Sequence, residues 1–137
     1  MAVIKPKLTL TGNSASATTD PGPASIGVNL TAAPANGKVT VTALETFIYQ
    51  TTTSTVKIWD HANAEVYLYI KNQATTASNN DAYIGIASTD LSANQDARVM
   101  TLSAGDFAFL PWAGEHDLWV EGGSATPKLE VWIFKTT

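Results

Sequence analysis

The chain has no cysteine, which excludes a disulfide framework and any thiolate metal centre. Charge is scarce: Asp, Glu, Lys and Arg make up 15% of the residues, against the roughly 25% usual in globular domains. Eight Lys and Arg stand against twelve Asp and Glu, for a net charge of −4, and no basic run exists to neutralise phosphates. A nucleic-acid partner is therefore excluded. No stretch approaches the roughly 20 apolar residues that span a bilayer as a helix, so no membrane partner is expected. The start, MAVIKPKLTL, has an apolar run too short for a secretory signal, and Pro6 interrupts it. The expectation is a soluble protein made without an export signal.

What fills the gap is Thr, Ser, Asn and Ala. Thr is β-branched and suits a pleated, half-buried surface. At 137 residues the chain fits one ordinary domain with a core of its own. Residues 3–10 read as a short first strand. Residues 11–25, TGNSASATTDPGPAS, are small and polar around Pro21 and Pro23 and read as a loop or flexible N-terminal arm. From Ile26 apolar residues alternate with polar ones. Asn36-Gly37 between two such runs predicts a hairpin pairing 26–33 with 38–49. Further strands are expected at 55–59, 65–71, 82–87, 97–102, 106–110, 117–121 and 128–135, with turn formers between them. Residues 88–97 are the best helix candidate, but their apolar spacing is not helical, so at most one short turn is expected.

Short strands at this spacing predict an all-β, antiparallel β-sandwich (26–137) carrying an N-terminal arm (1–25). Jelly-roll topology is the first choice and an immunoglobulin-like sandwich the second.

Candidate chemistry is sparse. His61 and His116 each have an aspartate adjacent in sequence, Asp60 and Asp117. Either histidine has the chemistry of a general base or metal ligand, and either suits a polar turn equally well. A clustered His/Glu metal set is missing, and no Ser sits in a nucleophile-elbow context. Glu45, Glu65, Glu115, Glu121 and Glu130 contain no pair that the sequence places across a cleft. Asn79-Asn80-Asp81 lacks the Gly and terminal Glu of a calcium loop. Neither an enzymatic activity nor a cofactor is expected.

Four tryptophans, Trp59, Trp112, Trp119 and Trp132, together with four tyrosines, raise sugar stacking beside core or interface burial. Trp119 and Trp132 fall inside apolar strands and read as core or subunit contacts. Trp112, in the turn LPWAGE, is the one expected to be exposed.

The segment 103–121, SAGDFAFLPWAGEHDLWVE, reads as a strand that Pro111 stops, a turn, and a second strand. This stretch resembles small virion structural proteins of tailed phages, especially those of marine cyanobacteria, the matching pieces being VYLYIKN (66–72), AYIGI (82–86), MTLSAGDFAFLPWAGEHDLWV (100–120) and LEVWIFK (129–135). The matching pieces cover the C-terminal half in order; the N-terminal half carries no such resemblance. The resemblance implies a structural role with no cofactor. It implies a decoration or cement protein on the capsid exterior, a homotrimer gripping the major capsid protein, assembled in the host cytoplasm. The alternative is a tail, fibre or spike-associated module whose partner is host surface glycan. The expected interaction surface comprises Asp106, Trp112, Glu115 and His116, with Pro21 and Pro23 of the arm.

Overall fold

The computed structural model describes residues 2–4, 7–13, 25–31, 39–61, 65–112 and 115–136. The chain divides into two compact units, Met1–Val41 and Thr42–Thr137.

In the first unit, β1 (Ala2–Ile4) pairs antiparallel with the opening residues of β4 (Val39–Gln50). β2 (Lys7–Asn13) and β3 (Ser25–Thr31) form an antiparallel ribbon registered Lys7 to Thr31 and Asn13 to Ser25. This corrects two expectations. Residues 11–13 continue a strand instead of opening the arm, and residues 26–31 pair with β2, not with 38–49. The Asn36-Gly37 turn, Pro21 and Pro23 lie outside the described residues. A local turn signal ranks only the nearest partner. The ladder that forms depends on which longer-range pairing satisfies more backbone groups.

The second unit is a sandwich of two four-stranded sheets. Its remaining strands are β5 (Val56–Trp59), β6 (Val66–Asn72), β7 (Ala82–Gly85), β8 (Arg98–Leu102), β9 (Phe107–Trp112), β10 (Leu118–Gly122) and β11 (Lys128–Thr136). One sheet runs β4-β11-β6-β9 and the other β5-β10-β7-β8. Every connection except β7–β8 passes from one sheet to the other. Numbering β4 to β11 as one to eight gives the orders 1-8-3-6 and 2-7-4-5, the double Greek key of a jelly roll. β5–β10, β10–β7, β7–β8, β11–β6 and β6–β9 pair antiparallel. β4 also runs antiparallel to β11: Thr42 bonds to Lys135 at one end and Thr51 to Pro127 at the other. Residues 86–97 form turns and bends and no helix.

Alternation sets the core. On β6, Val66, Leu68 and Ile70 point inward; Leu129, Val131 and Ile133 do so on β11. From the facing sheet come Ala82, Ile84, Leu118 and Val120, and the ends are closed by Trp59, Leu102 and Trp112. Each aliphatic side chain so buried contributes roughly 1.5–3 kcal/mol. Asn72 ties the two layers together. Fully buried at the end of β6, it donates from Nδ2 to the carbonyls of Asn80 (2.6 Å) and Leu102 (2.9 Å), and its Oδ1 accepts from Ala74 N (3.0 Å). Both amide hydrogens and the amide oxygen have partners, so burial leaves neither side-chain polar atom unsatisfied.

Pro111 does not stop β9, which continues to Trp112. β9 is the last strand of its sheet, and a free edge is where a strand tolerates the missing proline N–H.

Candidate functional site

The expected interaction residues do not converge. Trp112 is buried, 5% exposed, and its Nε1 donates to the His116 carbonyl at 2.9 Å. The expectation that it stands free is therefore wrong. Once β9 continues past Pro111, the two-residue period puts Trp112 on the same inward side as Ala108 and Leu110, both packed on the core. His116 and Glu115 are exposed in the turn that follows. Asp106 is a turn former at the other end of β9: its Oδ2 accepts from Ser103 N (3.0 Å), and its backbone N donates to Ser103 O (3.0 Å). Gly105 supplies the φ of +82° that this turn requires.

The histidine–aspartate pairing crosses the chain. His61 Nδ1 lies 2.8 Å from Asp117 Oδ1, and the His61 backbone N donates to the same oxygen at 2.9 Å. Lys57 Nζ stands 3.4 Å from Asp117 and 2.5 Å from Asp60. The two His61 bonds, backbone first, and the Lys57 charge hold the Asp117 carboxyl at about 2, below its ordinary 3.8. Asp117 thus clamps the chain after β5 to the start of β10. No described hydroxyl is hydrogen-bonded to the other ring nitrogen of His61. Among the described residues no group of three or more His, Asp or Glu side chains could hold a metal. Glu121 is buried and holds the 86–97 loop, accepting at Oε2 from Leu91 N (2.7 Å), Thr55 Oγ1 (2.7 Å) and Ser92 N (3.4 Å). Glu45 pairs with Lys135. In the 79–81 loop Asp81 accepts from the Ser103 hydroxyl (2.9 Å) and Asn80 Nδ2 donates to the Thr76 carbonyl (2.9 Å), bonds that brace the loop.

A different surface stands out: the outer face of β4-β11-β6-β9. The residues of these strands that point away from the core are largely apolar as well. Tyr67 and Tyr69 come from β6, Phe107 and Phe109 from β9, and Trp132 and Phe134 from β11. Phe107 is 55% exposed and Trp132 38%, while β4 adds Leu44 (49%) and Ile48 (55%). The rings interlock across strands. Tyr67 stacks on Phe109 with centroids 5.6 Å apart, Trp132 meets Tyr69 edge-on at 5.8 Å, and Phe109 meets Phe134 edge-on at 6.1 Å. Such pairs add about 0.5–1.5 kcal/mol each beyond area burial, and they fix ring orientation.

Glu130 sits among the rings, its Oε1 accepting from Trp132 Nε1 at 2.9 Å. Burial, and secondarily the Glu130 charge, push the Tyr69 phenol above its ordinary value. Tyr69, Phe109, Glu130, Trp132 and Phe134 line a shallow depression of about 210 Å³. That is smaller than the ~300–1,000 Å³ of a drug-sized pocket; it suits one inserted side chain or ring.

This face was readable in part. VYLYIKN, FAFLPW and LEVWIFK are apolar at both parities, the signature of a strand covered on both sides. Trp119 and Trp132 both read from the sequence as core or subunit contacts; Trp132 stands on this outer face, 38% exposed, and Trp119 lies under Lys57 on the other sheet. The chain matches no protein-family model, no curated protein and no solved structure.

Proposed function

We propose that this protein is a virion structural component. In this reading it decorates the capsid exterior as a homo-oligomer, binds the major capsid protein and stabilises the shell. The observation that carries the reading is the aromatic outer face of β4-β11-β6-β9, with Phe107 55% and Trp132 38% exposed, in a lightly charged jelly roll. Monomeric proteins seldom leave a contiguous apolar patch beyond a few hundred Å² bare, and larger ones mark interaction sites. The resemblance of strands 66–72, 82–86, 100–120 and 129–135 to phage virion proteins supports the same reading. The work done would be mechanical: contacts added across the joints of a pressurised shell, each modest and repeated many times.

A division of labour follows from the two units. The sandwich core is drawn from Trp59 to Ile133, so deletion of residues 1–25 is expected to leave it folded while weakening attachment to shells. The test of the reading is the copy number of the protein in purified particles, by quantitative mass spectrometry against the major capsid protein. Hundreds of copies are expected, and absence from the particle overturns the reading. Exposure of Trp132 favours one second reading, a tail, fibre or spike-associated module holding host glycan. It would use Trp132 in place of the buried Trp112 and give a count of a few to a few dozen.

A further inference from the structure

We infer that the outer face of β4-β11-β6-β9 pairs, about a two-fold axis, with the same face of a second copy of this chain, each Phe107 entering the partner's ring-lined depression. The inference rests on the homo-oligomer reading above, names the surface that reading needs, and puts a dimer where the sequence resemblance implies a trimer.

Area is the first argument. Each large side chain presents roughly 200 Å² when fully exposed. From their exposed fractions, Leu44, Ile48, Phe107 and Trp132 alone offer on the order of 400 Å², before the half-buried rings and polar rim around them are added. One partner contributes about 800 Å² to a standard interface. Shape is the second. A protruding ring, Phe107, stands on β9 beside the depression lined by Tyr69, Phe109, Trp132 and Phe134. The Phe107 and Tyr69 centroids are only 6.2 Å apart, so projection and recess are neighbours on one patch. An isologous contact requires that arrangement, because each patch must be its own complement.

Charge is the third. Lys71 and Glu130 are register partners on β6 and β11, so the face carries both signs side by side. A partner face turned through a two-fold axis can set each Lys71 near the other copy's Glu130. An acidic or basic partner would match only one of them.

The opposite sheet lacks these properties. Its aromatic rings are already covered: Lys57 lies 5.8 Å over Trp119 and Arg98 lies 4.6 Å over Tyr83.

The test is the mass of the full chain in solution, by light scattering on a sizing column and by sedimentation from micromolar to tens of micromolar. A species of about 29 kDa, twice the 14.5 kDa of one chain, is expected. Phe107→Asp and, independently, Ile48→Asp should raise the dissociation constant at least tenfold with the circular dichroism spectrum unchanged. Val99→Asp, on the other sheet and 47% exposed, should leave it unchanged. A monomer at every concentration, a trimer, or a dimer indifferent to both face variants overturns the inference. Shell binding is read separately. A dimer that is broken by Phe107→Asp but never binds shells removes the decoration reading and leaves the pairing intact. A monomer that binds shells does the reverse.

Discussion

The two outer faces of the sandwich begin alike and end differently. Both sheets direct aromatic side chains away from the core. On β5-β10-β7-β8 the chain covers its own rings. Lys57 and Arg98 lie over Trp119 and Tyr83, and the 86–97 loop folds back to bury Leu91 and the Glu121 carboxylate. On β4-β11-β6-β9 no described residue does the same for Phe107 or Trp132. A cation over a ring contributes about 0.5–2 kcal/mol and leaves a polar exterior; a bare ring face keeps its burial free energy in reserve for association. The difference separates a face whose rings carry their own cations from one whose rings, among the described residues, carry none.

The covered face can be broken most severely at Glu121. Glu121→Ala strips the acceptor from Leu91 N–H and the Thr55 hydroxyl in a buried setting. About 2–4 kcal/mol of stability should be lost, since bonds to a charged group contribute roughly 1.5–3 and an orphaned donor adds to the cost. Chemical denaturation measures it; a loss below 0.5 kcal/mol would mean that the loop is not held by this carboxylate.

Gly85→Ala comes next. A Cβ there would meet Leu91 Cδ2 at 2.4 Å and the Ala97 carbonyl at 2.6 Å, so loop and strand must separate, at about 1–3 kcal/mol. Thermal melts check it, and an unchanged midpoint would show that the loop yields freely.

Arg98→Ala removes the cation over Tyr83 and the bonds to the Leu91 and Ser92 carbonyls, each 2.8 Å. About 1–2 kcal/mol should be lost. Amide exchange should speed up in 86–97 and not in β6 or β11; acceleration everywhere would deny the loop its local role.

Asp117 gives a pH signature. Its folded value is lower than its unfolded one, so its contribution is fully present above pH 3.8 and disappears as pH falls through about 2. The stability gap between wild type and Asp117→Asn should therefore be constant above pH 4 and close between pH 4 and 2. A gap that does not narrow in that window contradicts the clamp.

Trp132→Ala on this face should cost the isolated chain about 1–2 kcal/mol through its lost ring pairs with Tyr69 and Phe134, while weakening self-association. A larger loss would mean that the ring belongs to the core of the fold.

Much of this architecture was legible before any coordinates. Strands from Val56 onward fall within one or two residues of their expected bounds, because alternation and turn chemistry agree there. The jelly-roll order matches the first choice, although no single segment encodes strand order; strand number and sandwich class carried it. Two misreadings share one cause. The Asn36-Gly37 signal and Pro111 are local, and the structure answered them with long-range partners: β3 took β2, and β9 ran on because it lies at an edge. Trp112 followed Pro111 into error, since a tryptophan inside the continued strand shares the inward side of Ala108 and Leu110 instead of standing free in a turn. The aromatic face was visible as strands apolar at both parities, but which parity faces the core emerges only when two sheets meet.

Self-association through the outer face of β4-β11-β6-β9 is tested most directly by hydroxyl-radical footprinting of the full chain, read by mass spectrometry at nanomolar and at tens of micromolar concentration. Phe107, Trp132 and Tyr69 are expected to become protected as concentration rises, while Val99 and Trp119 keep their rates. Equal rates for Phe107 and Trp132 at both concentrations would contradict it.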